Sequence, residues 1–268
     1  MSLKIELIST DFDGTLLAES EDPPVPLDLQ GLIGELQGQG VRWVINTGRD
    51  MPSAMEGMAR ARLRIKPDFL VTVEREIYVR HDSQYVSLEA WNQRCRKVHL
   101  DLFRRIEPDL PRLVRWISER FRATLYADAF SPFCMIAEDN AQADLIQAFL
   151  EDYCRGVPGL TLVRNDVYAR FSHADFNKGT ALGEIARRLG VPCARVFAAG
   201  DHLNDLPMLR PEVAGYVAAP DNAVPAVKQL VRARQGYVSH QPWGHGVARA
   251  LEHYLENGKA QAADPGIR

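Results

Sequence analysis

Cysteine is scarce in this chain. Its 268 residues include only Cys95, Cys134, Cys154 and Cys193, and no two of them form a Cys-x-x-Cys pair. This spacing argues against both a zinc site and a disulfide framework. Reduced thiols in a cytoplasmic protein are the simplest interpretation, so we expect a cytoplasmic location.

The chain also lacks a large excess of charge of one sign, and it lacks long apolar runs. The net charge is −3, with 25% charged residues, which is unlike the basic surface of a nucleic-acid-binding protein. No apolar run has the length needed to span a membrane. We therefore expect neither nucleic acid nor membrane as a partner, and any affinity for anions must come from a local site.

Apolar material is ample, because 46% of the residues are hydrophobic. A chain of this length lies near the size at which single cores split, which favours two domains over one. Runs typical of buried parallel strands lie at residues 5–9, 41–45, 69–73, 195–199 and 215–218. Helical patterns lie at residues 27–39, 51–63 and 178–189. This alternation predicts a doubly wound parallel sheet of the α/β class.

In the middle of the chain, the predicted strands and helices do not alternate regularly. Residues 76–88 alternate like a hairpin, and a long helical stretch over residues 89–121 is interrupted at Pro108 and Pro111. Strand patterns then lie at residues 124–126, 133–137, 161–163 and 167–171, with a helix near residues 141–153. We therefore predict an inserted α+β domain over residues 78–176, which interrupts an α/β core of residues 1–77 and 177–268.

Two carboxylates follow the first predicted strand, in the segment Asp11-Phe12-Asp13-Gly14-Thr15. Residues two apart in a strand point to the same side, and ligands gather at the carboxyl ends of open parallel sheets. Such a pair repels unless a cation neutralises it, and Mg²⁺ prefers oxygen ligands. One carboxylate could then attack phosphorus while the other moves protons. The alternative is an Asp that simply caps a helix.

Two further segments suit a phosphate. Thr47 and Gly48 follow the second strand, where a hydroxyl and backbone amides at a helix start form either a phosphate cradle or an ordinary N-cap. Lys178 opens a predicted helix, where the helix dipole disfavours a cation. A phosphate oxygen would explain this lysine, and solvent is the alternative partner.

A last acidic segment follows the strand near Val196. Asp201 is suited to complete a metal site with Asp11, Asp205 to support it through water, and Asn204 to bind a phosphate oxygen. Acidic residues at a helix start also serve as caps, so this segment alone leaves both interpretations open.

In their order along the chain, these four segments together resemble the haloacid dehalogenase superfamily. The position of the insert is similar to the type II cap of its Cof-like phosphatases. The resemblance implies a phosphatase of small-molecule phosphate esters that works through an aspartyl-phosphate on Asp11, with Asp13 as acid and base. It also implies Mg²⁺ held by Asp11, the main-chain carbonyl of Asp13 and Asp201, with Asp205 in support. The insert would act as a lid that selects the substrate.

Two stretches depart from the Cof-like pattern. Those proteins usually carry an Asn-Gly pair after the third strand, where this chain reads Thr72-Val73-Glu74-Arg75-Glu76, and residues 171–176 are also altered. We expect both departures to affect substrate choice and to leave the phosphoryl chemistry unchanged. The candidate specificity residues, each with a surface or hinge role as its alternative, are Arg49, Arg75, His81, Tyr126 and His173.

Two rival functions stay open on the sequence. A phosphomutase or phosphotransferase would use the same residues and keep the phosphoryl group for transfer to a second hydroxyl. A non-catalytic protein that binds a phosphorylated ligand would be expected to lack one of the four segments, and all four are present. The sequence is compatible with a monomer or a small homo-oligomer.

Overall fold

A computed structural model describes the backbone of residues 5–262 and the side chains of residues 5–256. The chain divides into two compact units. The first comprises Met1–Leu88 and Lys178–Arg268, and the second is Glu89–Asn177. In the described part of the chain, no helix combines the length and the apolar composition needed to cross a membrane.

The strands are numbered in chain order: β1 (Leu7–Thr10), β2 (Arg42–Asn46), β3 (Phe69–Thr72), β4 (Glu76–His81), β5 (Gln84–Ser87), β6 (Ala123–Tyr126), β7 (Cys134–Ala137), β8 (Leu160–Asn165), β9 (Tyr168–His173), β10 (Val196–Ala199), β11 (Tyr216–Ala219) and β12 (Tyr237–Val238). The helices are α1 (Leu27–Gly38), α2 (Met51–Arg60), α3 (Glu89–Ile106), α4 (Leu110–Ser118), α5 (Asn140–Arg155), α6 (Lys178–Leu189), α7 (Pro225–Ala233) and α8 (Trp243–Ala262). Short 3₁₀ turns lie at Glu107–Asp109, Cys193–Arg195 and Leu203–Asp205.

The first unit contains an eight-stranded sheet in the order β12-β11-β10-β1-β2-β3-β4-β5. The pairs from β12 to β3 are parallel, which confirms the predicted doubly wound core. Every residue of β1, β3 and β10 is buried, because helices cover both faces of such a sheet. Trp43, Phe12 and Phe197 are among the large side chains that fill this core.

The hairpin over residues 76–88 belongs to the sheet of the first unit, so the predicted start of the insert at residue 78 is wrong. β4 pairs antiparallel with β3, and β5 with β4. Tyr85 donates a hydrogen bond from its hydroxyl to the carbonyl of Pro67 at 3.0 Å, and Ile77 is fully buried. These contacts hold the hairpin to the sheet, and the second unit begins at Glu89.

The second unit has the predicted α+β composition. Its four strands are antiparallel, in the order β6-β7-β9-β8, and they share an apolar core with α3, α4 and α5. The long helical stretch breaks into α3 and α4 at the 3₁₀ turn that contains Pro108, as the prolines predict. Phe133, which directly precedes β7, and Phe171 of β9 are fully buried in this core.

Candidate active site

The carboxyl ends of the central strands bring the predicted polar segments of the first unit together. β1 lies between β10 and β2, and Thr10 is in register with Ala199 on one side and Ile45 on the other. The backbone N–H of Asp11 donates to the carbonyl of Ala199 at 3.0 Å. Asp11 therefore leaves the sheet between the segments that begin at Asn46 and at Gly200.

An acidic cluster forms at this edge from Asp11, Asp201 and Asp205. One carboxylate oxygen from each lies within 4.8 Å of the others. Thr15 donates from its hydroxyl to Asp201 Oδ1 at 2.7 Å. Asp205 Oδ2 accepts the backbone N–H groups of Asp201 at 2.9 Å and His202 at 3.0 Å. Asp205 is thus held by its own loop, whereas Asp11 and Asp201 converge from different strands.

Glycine is needed where the first acidic segment turns. Gly14 has a left-handed backbone with φ of +76°, and a Cβ there would lie 2.5 Å from Asp201 Oδ2. Both the conformation and the close approach favour the residue without a side chain. Gly14 therefore allows Asp201 to reach the cluster.

Lys178 is the counterion of the cluster. Its side chain is fully buried, and Nζ donates to Asp11 Oδ1 at 2.7 Å and to Asp205 Oδ1 at 2.6 Å. Its backbone carbonyl accepts a hydrogen bond from Asn46 Nδ2 at 2.9 Å. The alternative that solvent is the partner of Lys178 is wrong. Two carboxylates stabilise the cation at the start of the helix instead.

The charges of this cluster do not balance. Burial raises the pKa of the Asp11 carboxyl well above its ordinary range, Asp205 and Asp201 raise it further, and Lys178 offsets this in part. Burial, followed by the charge of Asp205, raises the pKa of Asp201 to about 6. Burial alone would lower the pKa of Lys178, but the charges of Asp11 and Asp205 outweigh it and raise that pKa. Three carboxylates face one ammonium group, so the cluster could bind a metal cation.

Asp13 leaves the strand beside Asp11 but has a different partner. Its carboxylate is 39% exposed and forms a bidentate pair with Arg49, with Nη2–Oδ1 at 2.6 Å and Nε–Oδ2 at 2.8 Å. The Arg49 guanidinium also lies over the ring of Phe12, 5.4 Å from its centroid. The Asp13 carboxylate is thus held outside the acidic cluster, and a metal contact through its main-chain carbonyl stays a prediction.

Thr47 lies at the end of β2, fully buried. Its hydroxyl accepts the backbone N–H of Arg49 at 3.1 Å, and its own N–H donates to the carbonyl of Val71 at 2.8 Å. The turn that contains Gly48 is therefore held against the end of β3, one strand away from Asp11.

Comparisons with known proteins cover both halves of the chain. A family model described as sucrose-6F-phosphate phosphohydrolase matches residues 4–120, and one described as haloacid dehalogenase-like hydrolase matches residues 119–251. The chain belongs to the haloacid dehalogenase superfamily. The matched families and its relatives place it among the phosphatases of this superfamily, in the Cof-like branch.

Individual relatives are similar at modest identity. A 5-amino-6-(5-phospho-D-ribitylamino)uracil phosphatase of Bacillus subtilis is 25% identical over 94% of this chain and 96% of its own length. A phosphoglycolate phosphatase of Methanothrix thermoacetophila is 42% identical, but the match spans 28% of this chain and 32% of that protein.

Solved structures support the fold. The sucrose-phosphatase of Synechocystis, in complex with sucrose and phosphate, superposes with a TM-score of 0.70 at 18% identity, over 94% of this chain and 98% of that one. A haloacid dehalogenase-like hydrolase from Bacteroides thetaiotaomicron superposes with a TM-score of 0.63 at 19% identity, over 93% of this chain and 99% of that one.

Glu74 is a site residue that the sequence did not single out. Its carboxylate is buried, and Oε1 accepts a hydrogen bond from Asn204 Nδ2 at 3.0 Å. The departure at residues 72–76 thus places a carboxylate in contact with Asn204, and the expectation that it leaves the phosphoryl chemistry unchanged stays a prediction. The available signal was an acidic side chain in a stretch where Cof-like members of the superfamily usually carry Asn-Gly.

The remaining specificity candidates are dispersed. Arg75 is buried in the turn between β3 and β4, and His81 is exposed at the end of β4, so both lie in the first unit and not in the insert. In the second unit, Tyr126 is 43% exposed at the end of β6. His173 ends β9, where its backbone N–H donates to Nε2 of the buried His99 at 3.0 Å.

The raised pKa of Asp201 predicts a pH-dependent stability for the protein free of divalent cations. Because its pKa is about 6 when folded and about 3.9 when unfolded, the stabilising contribution is present below about pH 4 and is lost as the pH rises through about 6. Between pH 4.5 and 7, wild type should lose about 2 kcal/mol relative to Asp201→Asn. Urea unfolding of both proteins in chelator measures this difference. A constant gap between them across this range would contradict the prediction.

Proposed function

We propose that the protein is a Mg²⁺-dependent phosphomonoester hydrolase of small phosphorylated metabolites, in which Asp11 is the nucleophile. The observation that carries this proposal is the position of the Asp11 carboxylate. It lies at the end of β1, bonded to Lys178 at 2.7 Å and within 4.8 Å of oxygens of Asp201 and Asp205. A buried nucleophile beside a fixed cation suits attack on a group that carries negative charge.

Two carboxylates divide the covalent steps between them. Asp11 attacks phosphorus, the bond to the ester oxygen breaks, and Asp13 gives its proton to that leaving oxygen. Asp13 then takes a proton from water, which attacks the aspartyl-phosphate and releases Asp11 and inorganic phosphate. Both oxygens of Asp13 accept hydrogen bonds from Arg49 in this structure, so Arg49 has to release one of them before Asp13 can carry the proton.

The phosphoryl oxygens would be held by Thr47, Gly48, Lys178 and Asn204. Lys178 carries a fixed positive charge inside the site, and Asn204 is held next to Asp205 in the same loop. Donors that are already in place stabilise charge that develops in the transition state without reorganisation.

The acidic cluster fits a divalent cation. Its three carboxylates exceed the single charge of Lys178, and burial disfavours ionised Asp11 and Asp201 in the absence of a further cation. Asp11 and Asp201 would hold Mg²⁺ together with the main-chain carbonyl of Asp13, and Asp205 would support them. When bound, Mg²⁺ would offset the negative charge of the phosphoryl group.

Removal of divalent cations tests this proposal directly. Phosphate release from a panel of sugar phosphates, phosphoglycolate and a generic aryl phosphate should fall to background in excess chelator and return with added Mg²⁺, because the carboxylates then regain their counterion. Multiple-turnover release of free phosphate also separates hydrolysis from a mutase reaction. Full turnover in excess chelator after dialysis would rule out the metal requirement.

We also infer that the second unit selects the substrate. The residues assigned to the chemistry all lie in the first unit, while the strands of the second carry exposed aromatic side chains such as Tyr126 and Tyr168. By their names, the proteins compared above act on different phosphate esters. This is what we expect if one part of the fold carries out the reaction and another part selects the substrate.

The absence of disulfides among the four cysteines supports a cytoplasmic location.

Substitution of Tyr126 by Ala should change the ranking of substrates. We expect a threefold to tenfold shift in the ratio of kcat/KM between a sugar phosphate and a generic aryl phosphate, about the effect of one lost apolar contact. Steady-state kinetics on both substrates measures the ratio, and Leu145→Ala, an exposed apolar residue of α5, is the matched control. An equal loss on every substrate would assign selection to the first unit.

A further inference from the structure

Glu74 lies in a strained turn that joins two parts of the candidate site. Val73 and Glu74 have left-handed backbones, with φ of 45° and 67°, which is costly for a β-branched residue and for any residue other than glycine. Hydrogen bonds hold the turn in place: the N–H of Val73 donates to the carbonyl of Arg49 at 2.8 Å, and that of Glu74 to the carbonyl of Thr47 at 2.9 Å. The turn is thereby fixed against the Thr47–Arg49 segment.

This backbone directs a carboxylate into the proposed phosphate cradle. Oε1 of Glu74 accepts a hydrogen bond from Asn204 Nδ2 at 3.0 Å, and it lies 3.3 Å from the point that a Cβ of Gly48 would occupy. The negative charge of Glu74 also contributes to the raised pKa of Lys178. By distance, Glu74 thus lies next to Thr47, Gly48 and Asn204, three of the four residues that would hold the phosphoryl oxygens.

A carboxylate at this position would repel a fully ionised phosphate. Ionised carboxylate oxygens and phosphoryl oxygens are both acceptors, and two such oxygens repel unless a proton lies between them. The other charged groups on the surrounding elements are Lys178, Asp205, Asp11 and Arg49, with Arg75 and Glu76 next in the chain. Lys178 and Arg49 are already bonded to Asp11, Asp205 and Asp13, so their charges are shared with other anions.

We propose that Glu74 is a specificity-determining residue that accepts a hydrogen bond from a protonated phosphoryl oxygen. The site would then take anions that supply this proton, such as phosphate monoesters in their singly charged form and inorganic phosphate, and would reject sulfate, which has none at neutral pH. This inference rests on the proposed function, because it uses the phosphate site assigned there.

Calorimetric binding of inorganic phosphate and of sulfate, in the presence of Mg²⁺ at neutral pH, tests the proposal. Wild type should bind phosphate at least about tenfold more tightly than sulfate, and Glu74→Gln should bring the two affinities within about threefold, because the amide donates to an unprotonated oxygen. Glu74→Gly, which suits the left-handed backbone, should also lose the discrimination. Glu76→Gln, at a buried carboxylate bonded to the Tyr78 hydroxyl, should keep it.

An unchanged ratio of phosphate to sulfate affinity in folded Glu74→Gln and Glu74→Gly would overturn the proposal, as would equal affinities in wild type. Ester hydrolysis measured on the same wild-type preparation keeps the two proposals separate. Hydrolysis without anion discrimination would reject the role of Glu74 alone. Discrimination without hydrolysis of any ester would reject the proposed function and leave the anion selectivity of Glu74 in place.

Discussion

Substitution of Asp11 by Asn should abolish phosphatase activity, with kcat reduced by roughly 10⁴-fold or more. The amide is nearly isosteric with the carboxylate but is a poor nucleophile, so no aspartyl-phosphate forms. Phosphate release should be measured on several esters in Mg²⁺, beside thermal unfolding followed by circular dichroism.

The fold of this variant should persist. Lys178 keeps its second partner, Asp205, at 2.6 Å, and the substitution removes one of the three mutually repelling carboxylates. Asp28→Asn, at an acidic residue in the first turn of α1, is a matched control outside the site and should retain wild-type turnover. Near wild-type activity in a folded Asp11→Asn protein would eliminate Asp11 as the nucleophile.

Substitution of Lys178 by Met should damage both stability and activity. Methionine fills a similar volume but leaves Asp11 and Asp205 buried without their counterion, and the loss of one partner from a buried ion pair costs about 3–5 kcal/mol. The loss in kcat/KM should be about 10²- to 10³-fold and similar for every ester, because all substrates carry the same phosphoryl group. Urea unfolding and steady-state kinetics measure the two effects.

A partly exposed lysine outside the acidic cluster provides the comparison for this substitution. Lys228 pairs with Asp221 at 3.3 Å, and the Asp221 side chain is 57% exposed. Lys228→Met should therefore cost no more than about 1 kcal/mol and leave kinetics unchanged. If the two methionine variants were equally stable, the buried position of Lys178 between two carboxylates would not describe the protein in solution.

The chemistry-bearing segments were predictable because their signals are local. A buried strand followed by Asp-x-Asp-Gly, and another followed by Gly-Asp, place carboxylates at the carboxyl end of a parallel sheet whatever the rest of the chain does. The strands near residues 7–10, 42–46 and 196–199 and the helix that begins at Lys178 lie where their patterns indicate.

The hairpin of β4 and β5 shows the limit of such patterns. Its alternation predicts two paired strands correctly, but it contains no information on which sheet they extend. Pairing with β3 decided that they belong to the first unit, and this moved His81 out of the insert.

The sequence by itself determined the class of fold, the inserted second unit and the set of acidic, hydroxyl and lysine residues at the strand ends. Local composition and periodicity suffice for these, because burial and strand direction follow from them. Only the tertiary structure decided the partners of each charge. Asp13 pairs with Arg49, Lys178 with Asp11 across 167 residues, and Glu74 with Asn204 across 130 residues. Such contacts depend on the order in which strands pair and on backbone turns that bring distant side chains within 3 Å, and neither is encoded in any single stretch of sequence.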